Sequence, residues 1–100
     1  MAIQLKQNND VLEVIGALTA ENASVVKQHF DSFLKKVDNI IVSLDGVSSM
    51  GPSASFTIEQ LYLDFMRSNR SIHIIGKENK KIAQTMKRTK TSYILSDDRI

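Results

Sequence analysis

The sequence contains no cysteine and no tryptophan, and it has only one proline and four glycines among its 100 residues. The absence of cysteine excludes disulfides, a thiol nucleophile and every zinc site with a cysteine ligand. The few glycines form neither a GxGxxG nor a Walker-type loop, so no tight nucleotide site of either kind is expected. No apolar run approaches the roughly 18 residues of a membrane-spanning helix, and the N-terminus lacks a basic region followed by an apolar core. We therefore expect a cytoplasmic chain.

The composition is that of an ordinary globular protein, with 42% hydrophobic and 24% charged residues. It predicts a single packed domain over residues 1–100. The net charge of +2 is too small to imply a polyanionic partner for the whole chain. Basic residues nevertheless gather late in the sequence: Lys77, Lys80, Lys81, Lys87, Arg88 and Lys90. A solvated helix face is the simpler interpretation, and a nucleic-acid or lipid-headgroup surface is the alternative, although no aromatic residues interleave with the lysines.

The first half of the chain predicts a hairpin followed by a helix. Apolar and polar residues alternate over 3–6, Asn8-Asn9-Asp10 interrupts them, and a second apolar run covers 11–15. Apolar residues then recur at helical spacing and define a face that should pack on a sheet: Ala23, Val26, Phe30, Phe33, Leu34 and Val37.

The second half alternates strands with helices. Residues 39–44 are apolar in both registers, which is typical of a central strand flanked by parallel strands and covered on both faces. A loop over 47–51 and Pro52 at a first helical position predict a second helix, and the chain continues with a strand at 71–75. A further helix from about Asn79 and a short strand at 92–95 follow. The second and third helices should bury Ala54, Ile58, Leu61 and Phe65, and Ile82, Ala83 and Met86, respectively.

This order, β-β-α-β-α-β-α-β, predicts an α/β fold. Its mixed sheet has an N-terminal hairpin, parallel core strands and flanking helices.

The chemistry of the side chains favours a binding protein over an enzyme. His29 and His73 are not spaced as metal ligands on one element, and a partly buried structural histidine is the simpler interpretation of each. Glu59 and Asp64 point in different directions on their helix. We therefore expect no catalytic residue, no metal and no cofactor.

One polar cluster lies at a predicted helix start. Ser48, Ser49, Ser53 and Ser55 surround Gly51-Pro52, where unpaired N–H groups and the helix dipole favour an anion. Helix capping is the simpler explanation of these serines.

Two segments resemble the STAS family, the sulfate-transporter and anti-sigma-factor-antagonist domain. Residues 14–23 (VIGALTAENA) are similar to its strand, turn and helix start, and residues 41–54 (IVSLDGVSSMGPSA) to its central strand and phosphoacceptor loop. The resemblance implies that Ser53 is equivalent to the residue that a partner kinase phosphorylates. Gly51, Pro52 and Ala54 stand where the family pattern has an acid, a first serine and a glycine, so the resemblance supports the fold and a binding role better than phosphorylation.

The resemblance implies a regulatory protein-interaction module in transcriptional control. It would be a monomer or weak dimer that binds a partner kinase or anti-sigma factor through the Ser53 loop and the following helix. On that helix, Phe56 and Leu63 project away from the core stripe and should face solvent. The predicted partner-binding residues are Thr19, Glu21, Ser48, Ser49, Met50, Gly51, Pro52, Phe56, Gln60, Leu63 and Arg67. The alternatives are a STAS-like subunit docked on a membrane transport complex and a basic nucleic-acid-binding module.

Overall fold

A computed structural model describes residues 3–33 and 38–96, apart from the side chains of Phe30 and Phe33. Leu34 and Val37, two of the residues predicted on the first helix's core face, lie outside the described residues. The elements, in chain order, are β1 (Gln4–Asn8), β2 (Val11–Leu18), α1 (Ala20–Phe33), β3 (Asn39–Met50), α2 (Pro52–Arg67), β4 (Ser71–Ile75), α3 (Lys80–Arg88) and a 3₁₀ helix (Ser92–Ile94).

The four strands form one sheet in the order β1-β2-β3-β4. β1 and β2 are the predicted antiparallel hairpin, and Asn9, with φ of 57°, occupies its turn. β3 lies between β2 and β4 and is parallel to both, which confirms the predicted central strand. The mixed α/β architecture is therefore as expected from the sequence.

One face of the sheet carries the core. Its strands contribute Leu12, Val14, Ile40, Val42, Ile72 and Ile74, all nearly or fully buried. The helices cover them with Ala23, Val26, Ala54, Ile58, Leu61, Phe65, Ile82 and Met86. These helical residues were predicted to be buried, whereas Ala83 is exposed because it lies on the outer side of α3.

The opposite face of the sheet is only partly shielded. It carries half-buried Val11, Ile41 and Ile75 beside exposed Glu13 and His73. We expected both faces of β3 to be covered, but only the core face is buried and the other is partly exposed. His73, which we predicted to be partly buried, is exposed.

Two element boundaries differ from the predicted ones. β3 runs through Asp45-Gly46 to Met50, because its second half pairs with β2 across two register shifts, with Gly46 opposite Ile15. The segment predicted as the last strand is instead a 3₁₀ helix, held by local hydrogen bonds such as that from the Leu95 N–H to the Ser92 carbonyl. The chain reaches the sheet just after this helix, where Leu95 forms an isolated parallel bridge with Ile74 and the Ser96 N–H donates to the Ile74 carbonyl oxygen at 2.7 Å.

Candidate functional site

The predicted site lies where β2 and β3 end side by side. Leu18 and Met50 are register partners, and the Gly51 N–H donates to the Leu18 carbonyl oxygen at 2.9 Å. Because the strands are parallel, the starts of α1 and α2 leave the same edge of the sheet. Between them is an open cleft of about 480 Å³, lined by Leu18, Thr19, Ala20, Ser49, Met50, Gly51, Pro52 and Ser53.

The start of α2 is open. Gly51 is its N-cap in an extended conformation, Pro52 follows in the first turn, and no side chain among the described residues caps it. The Ser55 N–H bonds to the Gly51 carbonyl oxygen at 3.2 Å, whereas the Ser53 and Ala54 N–H groups precede the first intrahelical bond. Exposed Ser53 therefore stands beside backbone donors at the positive end of the helix dipole.

The start of α1, unlike that of α2, is capped by neighbouring side chains. The Thr19 hydroxyl oxygen accepts the Asn22 N–H at 3.1 Å, and the Asn22 side chain donates to the Ala17 carbonyl oxygen at 2.8 Å. Thr19 is thus a helix cap as well as a cleft residue. Glu21 is exposed in the first turn of α1, as predicted.

Two members of the serine cluster belong to other parts of the fold. Ser55 is fully buried, and its hydroxyl lies 2.7 Å from the Pro52 carbonyl oxygen and 3.0 Å from the Thr89 hydroxyl. It ties the first turn of α2 to the end of α3. Ser48 is exposed, but it lies on strand β3 and not in a loop.

Met50 does not fit the role that we predicted for it. We placed it among the surface contacts, but only 6% of it is exposed, because the extended backbone at the end of β3 turns its side chain into the core. It can support the base of the cleft and cannot be a principal contact.

The outer side of α2 presents the remaining predicted residues. Phe56 is 51% exposed, as expected. Leu63 is half-buried and not a free surface residue, which corrects the prediction for the second apolar position. Gln60 and Arg67 are both exposed, and both side chains reach Asp64, at 3.0 and 3.7 Å.

The sequence did not predict a cluster of Glu59, Tyr62 and Tyr93 beside α2. Tyr93 is 59% exposed, its hydroxyl donates to the Glu59 carboxylate at 2.6 Å, and its ring meets Tyr62 edge-on at 6.2 Å. The hydrogen bond to this carboxylate raises the pKa of Tyr93 above its ordinary value. Glu59 and Tyr93 are 34 positions apart, so no local pattern could have paired them.

The described ranges contain no group of three or more residues placed to hold a metal ion. Among these same residues, none of the helices combines the length and apolarity needed to cross a membrane.

Comparison with known proteins agrees with this architecture. The family model of the STAS domain matches residues 2–96. A search of curated proteins finds no match. The fold is similar to the crystal structure of a candidate anti-sigma factor antagonist, TM1081 from Thermotoga maritima, with a TM-score of 0.71 and 23% identity over 94% of this chain and 83% of that one. An NMR structure of TM1081 gives a TM-score of 0.70 and 24% identity over 92% and 76%. Since the family match spans nearly the whole chain, this protein belongs to the STAS domain family.

Proposed function

We propose that this protein is a cytoplasmic regulatory module of the anti-sigma factor antagonist type. It binds a partner kinase or anti-sigma factor and acts by occupying it, without turning over a substrate. The observation that carries the proposal is the uncapped start of α2, with exposed Ser53 one turn from exposed Phe56. We call the region formed by Thr19, Gly51, Pro52, Ser53, Phe56 and Gln60 the Ser53 surface.

The Ser53 surface combines the two kinds of contact that a protein interface needs. Phe56 supplies a large apolar group, and exposed aromatic side chains are frequent anchors of binding energy. The N–H group of exposed Ser53 supplies a directional donor at the positive end of a helix. A partner with an apolar pocket beside an acidic or carbonyl group would satisfy both.

The surroundings of Ser53 favour a contact role over a catalytic one. No described side chain hydrogen-bonds its hydroxyl, and only its carbonyl oxygen has a side-chain partner, the Thr57 hydroxyl at 3.1 Å. A serine nucleophile needs an adjacent base to activate it. Ser53 therefore has the setting of a group that a partner contacts or modifies.

Phosphorylation of Ser53 follows from the family resemblance alone. Pro52 lacks an N–H and so removes one of the donors that a phosphate at this helix start would use. The replacement of the family's acid, serine and glycine by Gly51, Pro52 and Ala54 favours a second candidate function. In it, the same surface docks permanently on a membrane transport complex.

Variants of α2 test the proposal. The measurements are thermal melts and calorimetric titration with a candidate anti-sigma factor kinase from the same genome. Phe56→Ala should weaken binding by about 1–3 kcal/mol and leave the melting temperature unchanged. Ser53→Asp should keep stability, since an anion suits a helix N-terminus, but should lower affinity because its charge is desolvated in the complex.

Met66→Ala is the matched control, because Met66 is also 52% exposed on α2 but lies away from the Ser53 surface. Its affinity should equal that of the wild type. If Met66→Ala weakens binding and Phe56→Ala does not, the partner binds another side of the helix. If the kinase does not bind but a transporter subunit does, with the same dependence on Phe56, the second candidate function is correct.

A further inference from the structure

The outer side of α3 carries a concentrated positive charge. Its buried residues are Ile82 and Met86, and the exposed side holds two basic pairs, each seven residues apart. At 1.5 Å per residue, each pair is separated by roughly 10 Å along the helix. We call these four residues, Lys80, Lys81, Lys87 and Arg88, the α3 basic face.

The charge of this region opposes that of the rest of the chain. Residues 76–96 contain six basic residues and one acidic one, a net charge of +5. Since the whole chain carries +2, all other residues together carry −3. The α3 basic face therefore belongs to a basic segment of a chain whose other residues have a net negative charge.

Folding accounts for only half of this arrangement, because Lys87 and Arg88 lie in the last turn of α3, where the helix dipole favours cations. Lys80 and Lys81 occupy the first turn of α3, where the helix dipole disfavours cations, and that turn has no acidic residue. None of the four side chains forms an ion pair with a carboxylate of the described residues. Four cations on one side of a short helix repel one another, most strongly at low salt, and a complementary negative surface would remove that repulsion.

We propose that the α3 basic face is a second interaction surface, and that it binds an acidic surface of a partner protein. Its dimensions favour a protein over an extended polyanion. A helix of nine residues is about 13 Å long, so a nucleic-acid duplex or a bilayer would extend beyond it onto the rest of a chain whose other residues have a net charge of −3. A bilayer-binding helix further needs large apolar residues to insert, whereas α3 exposes Ala83 and Gln84 between its cations.

The inference does not depend on the proposed function. The Ser53 surface is built from Thr19 before α1, Gly51 after β3 and residues of α2, whereas the α3 basic face lies on a single helix after β4. A variant on one surface should therefore leave binding at the other unchanged, and the two proposals can fail separately.

Binding to designed acidic peptides tests the inference. The probe is a fluorescent helical peptide of about 14 residues with glutamates in two heptad-spaced pairs. The comparison probes are a peptide of the same composition with its glutamates spread around the helix, a DNA duplex of about 20 base pairs, and phosphatidylglycerol vesicles. Wild-type protein should bind the patterned peptide most tightly, with an affinity that falls as salt rises.

The decisive variant is Lys80→Glu/Lys87→Glu, and Lys80→Gln/Lys87→Gln serves if the double reversal does not fold. Either should weaken binding of the patterned peptide about tenfold or more. The matched control, Lys6→Glu/Lys27→Glu, makes the same change in net charge at β1 and α1, and it should weaken binding less than about threefold. Equal weakening by both reversals, no binding of the patterned peptide, or tighter binding of DNA or vesicles would each overturn the inference.

Discussion

The N-terminal ends of α2 and α3 differ in how their unpaired backbone N–H groups are treated: a side chain caps α3, and none caps α2. At α3, the Asn79 side chain accepts the Lys81 N–H at 3.0 Å and donates to the carbonyl oxygens of Leu44 and Val47 at 2.8 and 3.0 Å. It caps the helix and also satisfies the part of β3 that extends beyond β4. At α2, Gly51 and Pro52 provide no side-chain cap. One helix start thus helps to hold the fold together, and the other, which has no side-chain cap, is the one that we propose contacts a partner.

The glycines of the two helix starts give the sharpest test of this comparison. Gly76 has φ of +144°, and a Cβ there would lie 3.0 Å from the Leu44 Cβ, whereas a Cβ on Gly51 would meet nothing closer than 3.9 Å. We expect Gly76→Ala to lower the free energy of unfolding by roughly 2–4 kcal/mol, from backbone strain and overpacking. Gly51→Ala should cost about 1 kcal/mol or less, because the poorer N-cap is partly offset by the lower entropy of the unfolded chain. Urea denaturation of both variants measures the difference, and similar losses would mean that the α2 start is also structurally constrained.

The polar residues of the two starts should differ in the same direction. Asn79→Ala removes a helix cap and leaves two β3 carbonyl groups without their partner, so we expect a loss of roughly 1–3 kcal/mol. Ser53→Ala is the control, since its side chain is exposed and the bond from the Thr57 hydroxyl uses the backbone. Its unfolding free energy should stay within about 0.5 kcal/mol of the wild type. A large loss in Ser53→Ala would show that this residue serves the fold.

Ser55 connects the two helices, and a smaller effect is expected there. Replacing it by alanine removes its bond to Pro52 and leaves the buried side of Thr89 with one partner fewer. The expected loss is about 1 kcal/mol, because Thr89 keeps its contacts with the Thr85 carbonyl oxygen and the Thr91 hydroxyl. Thermal denaturation of Ser55→Ala checks this value, and an unchanged stability would mean that the two helices are held together by apolar packing alone.

The smallest expected effect concerns pH and the corner between α2 and the 3₁₀ helix. The Glu59 carboxylate raises the pKa of Tyr93 above the ordinary 10.0, so the folded protein holds this proton more tightly than the unfolded chain does. The resulting stabilisation is complete below pH 10 and is lost as the pH rises through the folded-state pKa. In a Tyr62→Phe background, the absorbance titration of Tyr93 should shift to lower pH when Glu59→Gln is added. No shift would show that the carboxylate is not the cause.

Local patterns of the sequence sufficed for most of the helices and strands. Pro52 and the spacing of Ala54, Ile58, Leu61 and Phe65 predicted both the start of α2 and its buried face, because a helix repeats every 3.6 residues. The β-branched run at 39–44 likewise predicted the central strand. Asp45-Gly46 was mistaken for a strand end, because a β-bulge and a turn have the same local composition.

Only some residues of the candidate site could be predicted from the sequence. Ser53 and Phe56 follow from their positions relative to Pro52 and the core stripe. The burial of Met50 and Leu63 could not be predicted in this way, because it depends on elements that are distant in the chain. The pairings of Asn79 with β3 and of Tyr93 with Glu59 span more than thirty positions, and local periodicity carries no information about them.

The sequence by itself determined the fold class, the family resemblance and the basic character of α3, since these depend on residue order and on spacing along single elements. The tertiary structure decided which helix start is closed and which is open. That distinction arises because α3 lies against the end of β3, where the side chains of Asn79 and Thr85 replace a strand partner. At the start of α2, the Gly51 N–H bonds to the Leu18 carbonyl oxygen at the end of β2, and no side chain of the described residues caps the helix. Buried polar groups must find partners, and only the assembled fold determines which partners are within reach.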